Sequence, residues 1–384
     1  MVTKRTLLIF VLIVATIGIM IAIAWFVPMP LNPYLDFQVL YRADRGILQG
    51  IALYDRAGQE HMVARELGVA VDRVFVLPFP YPPWFALATL PLALLPIEVA
   101  VRLWFLLNIV MFLTSVWLIT DGWNPRSRLI SFVLAPLFYP ILGALVVGQY
   151  VFPTILGMAM LIRALQTKSL SLIALGLTLV TFKPHIGMFV VLAVLARLVI
   201  QESEFSWRAI KVVVATGLFL FAIGFLADGN WFLNYWRSLF AFKDVSECKL
   251  CVSLPVTIAQ FADSGFDQSI YISAALLLGL TFVLARFFPK LNNSSWIASV
   301  IGMALLVNPY LQNYDFAFVI IPLFVLAGTA RSAFEWLTVV VAFLMPWAGF
   351  GFLGRDGSVT LLVSTILILI VILTQVRNTH TIAA

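Results

Sequence analysis

Charge is scarce in this chain. Only 11% of its 384 residues are Asp, Glu, Lys or Arg, whereas 62% are apolar; a soluble domain carries about 25% charged residues. With a mean hydropathy of +1.04, the chain cannot fold in water. Ten-residue segments of alternating polarity are missing, which excludes an outer-membrane barrel. H-E-x-x-H, P-loop, G-x-S-x-G and dinucleotide fingerprints are absent, so ATP or nucleotide-sugar chemistry has no visible home. No D-x-D pair occurs, so a metal-bound sugar diphosphate is not indicated. Cysteine is nearly absent: Cys248 and Cys251 form one C-x-x-C. No other cysteine or nearby histidine completes four ligands, so a local disulfide is favoured over a metal site. There is no internal repeat and no low-complexity tract. The net charge of +6 would suggest nucleic acid in a soluble protein. Here Lys and Arg in cytoplasmic loops account for it, and no nucleic-acid partner is expected.

What the chain has instead is hydrocarbon. Apolar runs of roughly 18 to 22 residues recur from end to end, each long enough to cross about 30 Å of membrane. The expected fold class is all-α: a polytopic helical membrane protein with about 12 transmembrane helices in one integral-membrane domain over 1–384. Residues 6–27 follow Lys4 and Arg5 and are too long for a signal peptide, with no small-residue cleavage site after them. They are read as a retained first span with a cytoplasmic N-terminus. Further spans are expected at 82–96, 98–119, 150–166, 169–182, 186–200, 208–227, 268–286, 294–310, 314–330, 334–350 and 358–376. Basic clusters at Arg163 with Lys168, from Arg197 to Lys211, and at Arg286 with Lys290 should face the cytoplasm. That leaves the loops 28–81 and 228–266, together with Lys183-Pro184-His185, Asn308-Pro309-Tyr310 and Gly354-Arg355-Asp356, outside. Charge parity then requires one segment between 82 and 166 to be re-entrant or broken. The expected one is 129–148, which holds Pro136 and Pro140; this leaves Arg126 and Arg128 outside.

Within 28–81, Phe37, Leu40, Tyr41, Ile47 and Leu48 recur at helical spacing. Arg42, Asp44, Arg45 and Gln49 take the other face, and Gly50 ends the run. This predicts an amphipathic helix lying on the membrane surface. A second short helix is predicted over 56–67, with Asp55 as N-cap and Gly68 as terminator.

The polar residues in this setting are the candidates for chemistry. Asp36 opens the long polar stretch after the first span. It is a helix N-cap, a general base at the membrane boundary, or both. Lys183 and His185 flank Pro184 between two apolar segments, where a lysine suits a phosphate anion. Arg42 and Arg45, a turn apart, suit a lipid phosphate. Gln149, after Gly148, offers a donor and an acceptor to a sugar hydroxyl. Tyr310, Gln312, Asn313, Tyr314 and Asp315 form a polar, aromatic patch of the kind that meets sugars. A flippase or secondary transporter and a non-catalytic assembly subunit are the competing readings. The first is disfavoured because no paired halves are visible.

Taken together, these residues resemble the integral-membrane glycosyltransferases of superfamily C, and within them family 87, the polyprenyl-phosphate-mannose-dependent mannosyltransferase type. The matching pieces are Tyr34-Leu35-Asp36-Phe37, Gly50 to Tyr54, Phe79-Pro80-Tyr81-Pro82-Pro83, Leu95-Pro96, Trp104, Gly148-Gln149, Phe182-Lys183-Pro184 and Asn308-Pro309. The resemblance implies that Asp36 is the catalytic base on the extracytoplasmic face of the cell membrane. Lys183, with Arg42, Arg45 and His185, would bind the donor phosphate; Gln149, Tyr81, Tyr310, Gln312 and Tyr314 would meet sugar or acceptor. It also implies a polyprenyl-phosphate sugar as co-substrate, a glycolipid or glycan acceptor, surrounding membrane lipids, and no metal or other cofactor. One departure stands out: a histidine often follows the proline matching Pro309, and here the stretch runs Tyr310-Leu311-Gln312-Asn313-Tyr314.

Overall fold

The computed structural model describes residues 36–246 and 251–381, together with Val14, Gly18 and Ala22. Most of the expected first span, Lys4, Arg5 and Cys248 lie outside them. Every regular element among the described residues is helical, so the fold is all-α.

The chain enters on α1 (Asp36–Leu48) and α2 (Arg56–Leu67). The stop signals of α2 are those its sequence predicts. The Asp55 carboxylate accepts from the Gly58 N–H at 3.0 Å, and Gly68 closes the helix in the left-handed conformation that glycine adopts freely. In α1 the expected polar face forms at Arg42, Arg45 and Gln49 but not at Asp44. Phe37, Leu40 and Ala43 are buried, but so is Asp44, at 1% exposure, while Leu48 is 41% exposed. One face of the helix packs on protein. Its cover is α3 (Pro83–Thr89) and the 3-10 turn Leu90–Leu94. The Tyr41 hydroxyl donates to Leu95 O at 2.8 Å, and Thr89 bonds the Asp44 carboxyl, whose pKa burial pushes well above its usual range.

The expected break in 129–148 is present, but the segment that turns back is 82–96. The 82–96 segment does not cross. It starts at Tyr81, packed on Tyr150, and ends at Leu95, held by Tyr41 of α1, so both ends lie on the Asp36 side. Its helix breaks after seven residues, too short to span. After α4 (Ile97–Ile119) come α5 (Pro125–Leu134) and α6 (Tyr139–Val146), bent by 54° around Phe138. The break falls where Pro136 and Pro140 remove backbone donors. This pair runs from one end of the bundle to the other. Arg128 lies 3.8 Å from Asp121, which also pairs with Arg163 at 2.5 Å, whereas the chain beyond α6 arrives at Asp36. Arg128 therefore shares an end with Arg163, opposite to the expectation.

The bundle continues through α7 (Val151–Thr167), α8 (Leu170–Val180), α9 (Pro184–Gln201) and α10 (Glu204–Ile223). Then α11 (Trp231–Ser246) and the short α12 (Leu254–Phe261) lead to α13 (Phe266–Phe287), α14 (Asn293–Val307), α15 (Ile320–Thr329), α16 (Ala333–Leu353) and α17 (Val359–Thr381). Five helices are long and apolar enough to cross a membrane, six if the bent pair counts as one. The expected count of about 12 is not reached by that measure, because several apolar helices are short. The 11 residues of α8 rise only about 16 Å. The centre is formed by α7 and α14, buried along nearly their whole lengths. The rim is lipid-like: Leu278 and Phe282 on α13 are 75% and 77% exposed.

Helices α7 and α8 meet glycine to glycine. A Cβ on Gly157 would lie 2.7 Å from the Gly176 carbonyl and 2.8 Å from the Val180 nitrogen, both backbone atoms that cannot swing aside. Gly157→Ala should force the helices apart at about 1–3 kcal/mol and lower the thermal unfolding midpoint in detergent. Gly143→Ala, with nothing within 4 Å of its Cβ, should not.

Candidate functional site

Asp36 is the first residue of α1, and the turn after α6 grips it at three points. Its N–H donates to Val147 O at 3.2 Å. Its carboxylate Oδ2 accepts from Gln149 Nε2 at 2.5 Å. Its carbonyl accepts from the Tyr150 hydroxyl. The turn can do this because Gly148 has φ +70°, which a residue with a side chain rarely adopts, and because a Cβ there would sit 3.2 Å from Phe37 Cβ. Trp104 Nε1 donates to Gly148 O at 2.9 Å and its ring stacks on Phe37, centroids 5.8 Å apart. The amide of Gln149 is itself oriented: its Oε1 accepts from Tyr150 N at 3.2 Å, so its NH₂ faces Asp36.

Lys183 stands at the break between α8 and α9, where Pro184 takes the first helical position. It is 1% exposed and forms an ion pair with Asp315, 3% exposed. Its ammonium also lies 5.0 Å from the Tyr314 ring centroid. Asp315 is held from behind by a capping box: its Oδ2 accepts from Gln312 N at 2.9 Å, and the Gln312 side chain accepts in return. Asn308 donates to the His185 carbonyl at 2.9 Å, fastening the two segments together. Two buried polar atoms beside this pair have no hydrogen-bond partner, His185 Nε2 and Asn313 Oδ1. Such atoms call for a partner.

Crowding by protein raises the Asp36 carboxyl from 3.8 to about 6; the Gln149 bond and the Lys183 charge oppose the rise and Asp315 adds to it. The carboxyl is thus mostly ionised at neutral pH yet a stronger base than an ordinary aspartate. Tyr81, edge-on to Tyr150 at 4.7 Å, is pushed well above the usual phenol range by burial, with Asp36 and Asp315 adding to the shift. It remains a neutral hydroxyl.

Of the candidates, Asp36, Gln149, Tyr81, Lys183, His185, Gln312 and Tyr314 gather at this end. Tyr310 lies beside Phe242 and Phe266. The two arginines are engaged elsewhere on α1: Arg42 donates to Gln38 at 3.2 Å, and Arg45 pairs with Glu66 at 3.0 Å on the surface. Asp315 as the partner of Lys183, and Tyr150 and Trp104 as the frame of Asp36, are additions from the structure. Asp315 could be seen in its polar patch, but a pairing across 132 residues leaves no local spacing to read. Cys251 is disulfide-bonded. A cavity of about 340 Å³ lined by Asp121, Trp123, Gln166 and Asn293 opens at the opposite end of the bundle, away from Asp36.

A folded pKa above the unfolded one means that the native state binds the proton more tightly. Stability contributed by protonated Asp36 is full below about 3.8 and lost as pH rises through about 6. Asp36→Asn removes that loss. It should stabilise the fold at pH 7.5 by at most about 3 kcal/mol, for a rise from 3.8 to about 6, and so raise the unfolding midpoint there, with little gain at pH 3.5. Thermal unfolding at the two pH values measures this.

The model of glycosyltransferase family 87 matches residues 79–309, more than half of the chain. Asp36 precedes the matched stretch and Asp315 follows it. A comparison with curated proteins finds no match.

Proposed function

The chain belongs to glycosyltransferase family 87, and on that premise we propose that it moves a hexose, with mannose the first candidate, from a polyprenyl phosphate to a hydroxyl of a glycolipid or glycan acceptor. The supporting observation is an enclosed carboxyl, raised to about 6 and bonded at one oxygen by Gln149, at the same end as a buried ammonium. In this reading one Asp36 oxygen stays with Gln149 and the other takes the acceptor proton. The acceptor oxygen attacks the anomeric carbon as the bond to the phosphate oxygen breaks. The electron pair leaves with the lipid phosphate, and a single displacement inverts the anomeric centre. Lys183 has three N–H donors; the others remain for phosphate oxygens, whose charge grows as the bond breaks. His185 Nε2 and the amide and hydroxyl groups of Gln149, Tyr81, Tyr310, Gln312 and Tyr314 serve phosphate, sugar or acceptor. A monophosphate donor can be met by side chains, so the reaction is taken to be metal-independent.

The shorter apolar helices are read as further crossings packed among protein, giving about 12 spans with the N-terminal segment. The Arg163 end is read as cytoplasmic under the positive-inside rule. That puts Asp36 on the extracytoplasmic face of the cell membrane.

Purified protein incubated with a panel of polyprenyl-phosphate sugars and membrane lipid extract should yield a product heavier by one hexose in mass spectrometry. Asp36→Asn should yield none. Because the base acts when ionised, the wild-type rate should fall about tenfold for each pH unit below its pKa, and EDTA should leave turnover unchanged. Full turnover by Asp36→Asn, or strict dependence on a divalent ion, contradicts this reading.

A further inference from the structure

Helix α11 lies across the Asp36 end of the bundle with two unlike faces. Its inner face carries Tyr235, Ser238 and Phe242, at i, i+3 and i+7. The Tyr235 ring is 5.8 Å from Tyr54, the Ser238 hydroxyl donates to Phe79 O at 2.8 Å, and Phe242 lies 5.8 Å from Tyr310. Tyr54 in turn donates to the Tyr81 carbonyl at 2.7 Å, and Phe79 packs edge-on to Tyr81. The inner face therefore rests on the two residues that hold Tyr81 and, farther along, on Tyr310.

The outer face is Phe232, Leu233, Trp236 and Phe240, 47%, 59%, 49% and 65% exposed. At about 100° per residue these four fall on one side of the helix, away from the inner three. The stripe meets the end of α10 through Phe232, whose ring is 5.9 Å from that of Phe221, and there Leu218 and Leu226 are 65% and 75% exposed. That stretch, Glu204–Leu226, is itself long and apolar enough to cross a membrane. Charged groups sit along α11 beside the stripe: Arg237 bonds Asn234 at 3.3 Å and Lys243 bonds Asp267 at 3.0 Å. An aromatic stripe accompanied by cations suits the boundary between acyl chains and headgroups.

We propose that α11 is an interfacial helix whose outer face is seated in the leaflet on the Asp36 side while its inner face roofs the Asp36 site, so that the bilayer itself holds the cover in place. The occupant of the stripe is lipid because the stripe continues the membrane-facing surface of α10. This holds whether or not the site transfers a sugar, and its tests do not read turnover.

No free cysteine is present among the described residues, so a nitroxide can be attached at Leu233→Cys or Phe240→Cys in liposomes. Leu278→Cys on α13 serves as the lipid reference and Asp72→Cys as the water reference. All four positions are exposed. Dissolved oxygen should relax the labels at 233 and 240 severalfold more than chelated nickel does, as at 278 and in reverse of 72. Dominance of nickel would place the stripe in water. Exclusion of both would mean that a second copy or another protein covers it. Either result overturns the seating. The roof is tested with a water-soluble carbodiimide on the same proteoliposomes. Phe242→Ala, which spares the outer face, should raise modification of Asp36 severalfold by mass spectrometry. An unchanged rate overturns the roof.

Discussion

The grip of residues 147–150 on Asp36 is the constraint on which the rest of the site depends. Three groups of one turn, a carbonyl, an amide side chain and a phenol, meet the N–H, the carboxylate and the carbonyl of one residue. The grip needs a left-handed residue at Gly148, a broken helix pair ahead of it and a tryptophan to brace it. Each of these is costly alone: glycine weakens regular structure, and proline in an apolar helix removes backbone bonds. They make sense together, as the means of bringing an irregular turn against Asp36 where protein surrounds it.

The second constraint is the charge balance. Asp36 and Asp315 share one end of the bundle with the Lys183 ammonium, and Asp315 takes it as an ion pair. A buried pair of this kind adds little net stability, yet removing one member strands the other at about 3–5 kcal/mol. Asp36 is consequently left with a neutral amide as its direct partner, and crowding keeps its carboxyl basic. Opposite surroundings for two carboxylates thus arise from their neighbours: one is paired with an ammonium, the other bonded to an amide. Family membership makes the protein a glycosyltransferase, and in the proposed function the carboxylate without a direct ion-pair partner is the base.

Much of this was legible in the chain. The caps of α2 follow from Asp55 and Gly68, and the break at Phe138 from Pro136 and Pro140, because local chemistry decides both. Scarcity of charge was enough for the all-α membrane class. The prominence of Asp36, Gln149 and Lys183 followed from polar residues being rare there. Long-range packing was not legible. Asp44 reads as solvent-facing by its spacing, yet α3 and the turn after it cover it. The 82–96 segment is apolar enough to look like a span, and only its contacts with α1 show that it turns back. Charge parity required one re-entrant or broken segment and pointed to 129–148, which is broken, although 82–96 is the one that turns back. The short central helices could not be sized from hydropathy, because a helix wrapped in protein need not match the membrane thickness.

The most direct measurement is an infrared difference titration of wild type against Asp36→Asn, following the carboxyl band that the substitution deletes. A single group titrating near pH 6, and shifting upward when Gln149→Leu removes its hydrogen bond, is the predicted result. A midpoint near 3.8, the value of a freely solvated aspartate, or indifference to Gln149, would contradict it.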